Sequence, residues 1–196
     1  MKYLGSRRFA LGSLVLLVLT ALPQLLRAAE AMRAQPRPHG VRVAVPLERL
    51  KVDDGDTMEI TWKPGDVESL RILGIDAPET YHPDHGIPFD QPFGREATAF
   101  ARGVFAMADT VELVRASTLD PYGRTLGYLF VNGRNFSVLL LNAHLAAETV
   151  SHYGDNGLPE PAAACVAAAA KAGPVPFEPP YLFRRRMSEY GKARAR

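Results

Sequence analysis

Between residues 47 and 75 apolar and polar positions alternate. Met58, Ile60 and Trp62 are set against Thr57, Glu59 and Thr61, and Leu70, Ile72 and Gly74 against Arg71, Leu73 and Ile75. A period of two places the two sets on opposite faces of a strand. Turn residues at Asp54-Gly55 and Lys63-Pro64-Gly65-Asp66 interrupt the alternation, so the spacing predicts a three-stranded meander. The period then changes: Ala97, Phe100, Ala101, Val104, Phe105 and Ala108 form one apolar stripe at helical spacing. Strand patterns return at 110–115 and 124–131, and Asn132-Gly133 is a two-residue turn signal. Residues 136–145 are apolar enough for a short buried helix. The alanine-rich run 161–171 opens with a proline and stops at Gly173-Pro174, which predicts a third helix with a thin apolar face. Pro83, Gly86, Pro88 and Pro92 predict an exposed loop over 81–92. Four prolines after position 173 lead into a basic stretch, 181–196, for which helix and disorder both stay open.

Residues 1–31 have the layout of an export signal: Lys2, Arg7 and Arg8, an apolar run over 9–26, and Ala29-Glu30-Ala31 ahead of a cleavage point before Met32. The run is close to the roughly 20 residues that span a bilayer, so a cleaved signal and an uncleaved membrane anchor both stay open. Either way the remainder is expected outside the cytoplasm, periplasmic or secreted. Residues 32–40, with Pro36, Pro38 and Gly40, read as a flexible linker, 41–160 as one domain, and 161–196 as an alanine-rich helix with a basic, proline-containing tail. Cys165 is the single cysteine and closes no intramolecular disulfide, so an exported domain must rely on its core.

The charge is unevenly placed. The whole chain is +2, but residues 40–160 hold 10 basic against 18 acidic residues, a net of −8. The balance lies at the end of the chain, where Arg184, Arg185, Arg186, Lys192, Arg194 and Arg196 face only Glu178 and Glu189. An acidic body repels polyphosphate, so affinity for it has to come from local arginines, a bound metal or this tail.

Three islands carry candidate chemistry: Asp54-Gly55-Asp56-Thr57, then Leu70-Arg71-Ile72-Leu73-Gly74-Ile75-Asp76-Ala77-Pro78-Glu79, then Asp120-Pro121-Tyr122-Gly123-Arg124. Carboxylates can hold a hard cation or take a proton from water, and planar guanidinium groups pair with two phosphate oxygens at once. Each island alone has a plainer reading, as a hairpin turn or a structural ion pair. His82 and His85 read as loop residues rather than a zinc pair.

Taken together and in this order, the islands resemble the staphylococcal nuclease (thermonuclease) family. The resemblance runs over 47–153, supported by Pro92-Phe93-Gly94-Arg95-Glu96-Ala97 and by Arg124-Thr125-Leu126-Gly127-Tyr128. It implies a mainly β fold with α, the five-stranded Greek-key barrel called the OB-fold, with about three helices. It also implies Ca2+ held by Asp56, Asp76 and the Ala77 carbonyl, whose direction Pro78 fixes. Glu79 would orient or deprotonate the attacking water, Arg71 and Arg124 would grip the scissile phosphate, and Tyr122 would hold the neighbouring phosphate or nucleoside. The activity implied is hydrolysis of DNA and RNA, single strands preferred, to products with 3′-phosphates by a monomer. The alternative is a non-catalytic OB-fold module binding nucleic acid or protein at the cell envelope. A third reading has the basic tail touching anionic lipid. Pro121, Asp84 and Val150 stand where the family has two lysines and an aromatic wall, which implies a raised KM with the metal requirement kept.

Overall fold

A computed structural model describes residues 33–194; the export-signal reading falls outside them. Among the described residues no helix is long and apolar enough to cross a membrane.

The meander forms as the alternation predicts. Strands β2 (Leu50–Val52), β3 (Thr57–Lys63) and β4 (Asp66–Ile72) run antiparallel, with Met58 opposite Leu70. Met58, Ile60, Leu70 and Ile72 are at most 1% exposed, and burial of each such side chain contributes about 1.5–3 kcal/mol. Strands β6 (Val111–Leu119) and β7 (Thr125–Val131) form an antiparallel pair, and β7 joins β4 in parallel. The sheet order is therefore β1-β6-β7-β4-β3-β2, with β1 (Arg42–Ala44) at one edge. The edge strands β1 and β2 are separated in the chain only by residues 45–49, which include a 3-10 turn at Leu47–Arg49. So short a connection obliges the two edges to approach, and the sheet curls into a partly closed barrel of the OB type. Short strands β5 (Ile75–Asp76) and β9 (Ala147–Glu148) pair beside it, and β8 (Arg134–Asn135) folds back to pair antiparallel with the end of β7.

A polar cluster lies inside the barrel. Glu68 on β4 accepts from Arg115 Nε and Nη2 at 2.7 and 2.8 Å, from Thr125 Oγ1 at 2.6 Å and from Trp62 Nε1 at 2.7 Å. Both charged side chains are 2% exposed; the saturated hydrogen bonding is what permits a buried charge pair.

Five helices, rather than about three, are present among the described residues: α1 (Gly94–Ala106), α2 (Phe136–Asn142), α3 (Val150–Tyr153), α4 (Pro159–Ala172) and α5 (Pro180–Arg194). The added ones are the single turn α3 and the basic stretch, which is helical. The alanine-rich α4 is no appendage, since Ala162, Cys165 and Ala168 belong to the main core. Small side chains let it approach α2 closely enough to extend that core.

Two stretches read as flexible or exposed are tied down. The segment read as a linker is docked from Gln35 onward: Gln35 and Gly40 N–H groups donate to the Ser117 and Arg115 carbonyls at 2.9 Å, and Gln35 Nε2 donates to Thr125 Oγ1. The 81–92 loop buries Ile87 under Phe183 and Met187 of α5, and Gln91 is 1% exposed. Its prolines supplied the turns, but a helix distant in sequence supplied the cover.

Candidate active site

The first acid is placed by a turn. Asp54 Oδ1 accepts the N–H groups of Asp56 and Thr57 at 3.0 and 2.7 Å, which fixes the start of β3. A Cβ at Gly55 would lie 2.6 Å from Ala77 Cβ, so only glycine allows the turn to pack against the chain following β5. Asp56 is thereby 2% exposed, and its Oδ2 accepts the Ala77 N–H at 2.5 Å.

Arg71 faces it from β4, whose backbone pairs with Thr57. Its Nη1 donates to Asp56 Oδ1 and its Nη2 to Asp76 Oδ1 at 2.6 Å, so one guanidinium bridges both carboxylates. Glu79 is held by Gln91 from two directions. The Glu79 N–H donates to Gln91 Oε1 at 3.2 Å, and the Glu79 carbonyl accepts the Gln91 N–H at 2.8 Å.

The third island is organised by its own aspartate. Asp120 Oδ1 accepts the N–H groups of Tyr122 and Arg124 at 2.8 Å each, and Oδ2 accepts from Arg124 Nε at 2.7 Å. Tyr122 stays 85% exposed, and the Arg124 guanidinium lies 5.7 Å from its ring centre.

A third guanidinium enters from α5. Arg184 Nη1 and Nη2 donate to the two Asp76 oxygens at 3.0 Å each, and Nη1 also reaches Glu79 Oε1.

Arg71, Asp76, Glu79, Tyr122, Arg124 and Arg184, among others, line one cleft of about 1360 Å³; Asp56 does not line it and joins through Arg71. Of the residues singled out in the sequence, Asp56, Arg71, Asp76 and Ala77 are linked by hydrogen bonds, Glu79 is joined to Asp76 through Arg184, and Arg124 and Tyr122 join through the cleft they line. Tyr153 lines it too. His82 and His85 stack face to face at 4.0 Å, with planes 6° apart. Gln91 goes unmarked in the sequence, while Asp120 stands in the third island and Arg184 in the basic tail without either having been placed in the site. Asp120 had a local signal, an aspartate two residues ahead of the amide it caps. Gln91 had none, and Arg184 had only the basic charge of the tail, which does not say where the tail docks.

Burial sets the acids apart. It drives the Asp56 carboxyl upward against the pull of Arg71. Burial likewise raises Glu79 despite Arg184. At Asp76 burial acts the same way but is outweighed by Arg184 and Arg71, which hold it below the ordinary carboxylate value. Arg71 and Arg184 are raised: burial opposes their charge, and the neighbouring carboxylates more than compensate.

Among the described residues no group of three or more His, Cys, Asp or Glu side chains forms a metal site. The Asp56 and Asp76 carboxylates do converge on one point, where Arg71 bridges their Oδ1 atoms, so a hard, partly hydrated cation held there would have to compete with that guanidinium.

Fold and site define a small barrel protein with an acid and guanidinium cleft at the ends of β4 and β5. The chain belongs to the family described as Staphylococcal nuclease homologue, whose model matches residues 69–173. The match continues through α4, beyond residue 153, and begins after Asp56. The chain is 34% identical over 97 residues to a thermonuclease of Staphylococcus hyicus, covering 50% of this chain and 55% of that protein. It is 34% identical over 105 residues to the SPbeta prophage-derived endonuclease YokF of Bacillus subtilis (strain 168), covering 53% and 33%. It is 31% identical over 94 residues to endonuclease YncB of the same organism, covering 47% and 43%. The matches thus span about a third to about half the length of these relatives.

Proposed function

We propose that this protein is an exported, calcium-dependent nuclease that hydrolyses phosphodiester bonds of DNA and RNA, single strands preferred, and leaves 3′-phosphates. The observation that carries this reading is the cleft that Arg71, Asp76, Glu79 and Arg124 line together, with Asp56 joined to it through Arg71. Relatives named thermonuclease and endonuclease support it, and the pattern of residues 1–31 supports export.

In this reading Asp56, Asp76 and the Ala77 carbonyl hold calcium, which would supply Lewis-acid polarisation of the phosphate and neutralise its charge. Glu79 orients the attacking water and accepts its proton, a task helped by the burial that raises its carboxyl. Arg71 and Arg124 pair with phosphate oxygens and stabilise the charge that builds at the five-coordinate transition state. Tyr122, exposed beside Arg124, holds the neighbouring phosphate or nucleoside.

Product-end analysis tests the reading. Cleavage of 5′-labelled single-stranded DNA in calcium is expected to give fragments whose 3′ ends lose a phosphate to phosphatase; no cleavage, or 5′-phosphate ends, overturns it.

A further inference from the structure

We infer that α5 is the second wall of a single-strand binding cleft, on which Arg184 and Lys192 grip backbone phosphates; the inference rests on the nuclease reading only for the identity of the strand. Positions 184, 188 and 192 recur at i, i+4 and i+8 and so share one helix face. All three line the cleft together with Arg71 and Arg124.

The helix is docked rather than trailing. Phe183 and Met187 bury against Ile87, the Phe89 and Tyr190 rings meet edge to face at 5.7 Å, and Gln91 Nε2 donates to the Glu178 carbonyl at 2.6 Å. Docking sorts its cations. Arg185 and Arg186 pair with Glu189 and Glu178 of their own segment, whereas Lys192 forms no ion pair among the described residues and lies exposed on the cleft.

Charge and size both call for such a wall. Residues 40–160 carry a net of −8, and among the described residues the cleft without α5 offers only the arginines Arg71 and Arg124 beside its carboxylates. The helix doubles that number of cations. A volume of about 1360 Å³ exceeds the roughly 300–1,000 Å³ of pockets for small ligands, as a polymer requires. Tyr122 and Tyr153, both exposed on the same cleft, offer faces on which unpaired bases stack. Arg184 rests on Asp76 and Glu79 with its side chain 37% exposed, and its remaining donors are open to an entering phosphate.

The test is the salt dependence of binding, measured by fluorescence anisotropy of a labelled single-stranded DNA oligonucleotide in calcium, with Glu79→Gln as the cleavage-deficient parent. Each phosphate contact on a single strand contributes roughly 0.7 to the slope of log K against log salt. Adding Lys192→Ala is expected to lower the slope by about 0.7, and Arg184→Ala with Lys192→Ala by about 1.4, with affinity down about tenfold. Arg184→Lys should retain the slope, and Arg185→Ala should leave it unchanged. Unaltered slopes, tighter binding on loss of Arg184, no binding by the parent, or binding only to phosphatidylserine vesicles would each overturn the inference. Cleavage by the native chain is measured separately, so the wall can fail while the nuclease reading stands.

Discussion

Arg184 donates to both carboxylate oxygens of Asp76 at 3.0 Å, across 108 residues of sequence. The same carboxylate also accepts from Arg71, so two guanidinium groups already neutralise the acid proposed to hold calcium. A competing cation should therefore bind more tightly once Arg184 is removed. Isothermal titration with Ca2+ is expected to show Arg184→Ala binding about twofold to fivefold tighter, the modest gain reflecting the partial exposure of Arg184. Equal or weaker affinity would show that Arg184 does not compete there.

Asp120 organises Arg124 through three hydrogen bonds. Asp120→Ala removes the turn cap and the ion pair together and should lower kcat/KM about tenfold; Asp120→Asn, which keeps the cap, should lose less. Steady-state kinetics on an oligonucleotide distinguishes the two.

A Cβ at Gly94 would lie 2.3 Å from the Glu79 carbonyl oxygen. Gly94→Ala must therefore displace the backbone of Glu79, with an expected cost of about 1–3 kcal/mol and a fall in kcat. Gly103 on the same helix has open space around it, so Gly103→Ala should stabilise by about 0.4–1 kcal/mol. Urea melts and kcat for the two variants check the contrast.

Glu68 is pushed upward by burial, but hydrogen bonds from Arg115, Thr125 and Trp62 outweigh this and hold it below its ordinary 4.5. The unfolded chain then binds the proton more readily than the folded one, so stability rises with pH in this range. The contribution is present above about pH 4.5 and is lost as pH falls through the depressed folded value. Glu68→Gln should flatten the acid limb of the stability curve. Glu68→Ala, which strands Arg115, should cost about 3–5 kcal/mol.

Local patterns carried the meander, α1 and the Asn132-Gly133 turn, whose φ values of 49° and 75° are those that Asn and Gly tolerate. The seven residues proposed for the site were named instead from the resemblance that the three islands carry together, since no local pattern marks Arg71 within β4 or the Ala77 carbonyl. The position of α5 was not legible. Arg184 reaches Asp76 because Phe183 and Met187 bury on Ile87, a contact with no periodicity linking its two sides. Gln91 escaped notice for the same reason: a buried amide joining Glu79 to Glu178 looks in sequence like any loop glutamine.

The most direct measurement is degradation of single-stranded DNA by purified protein in calcium and then in chelator, beside Glu79→Ser and Arg124→Ala. The account predicts cleavage that stops on chelation and falls about 10²–10⁴-fold in each variant. Equal degradation by all three proteins, or full activity in chelator, would contradict it.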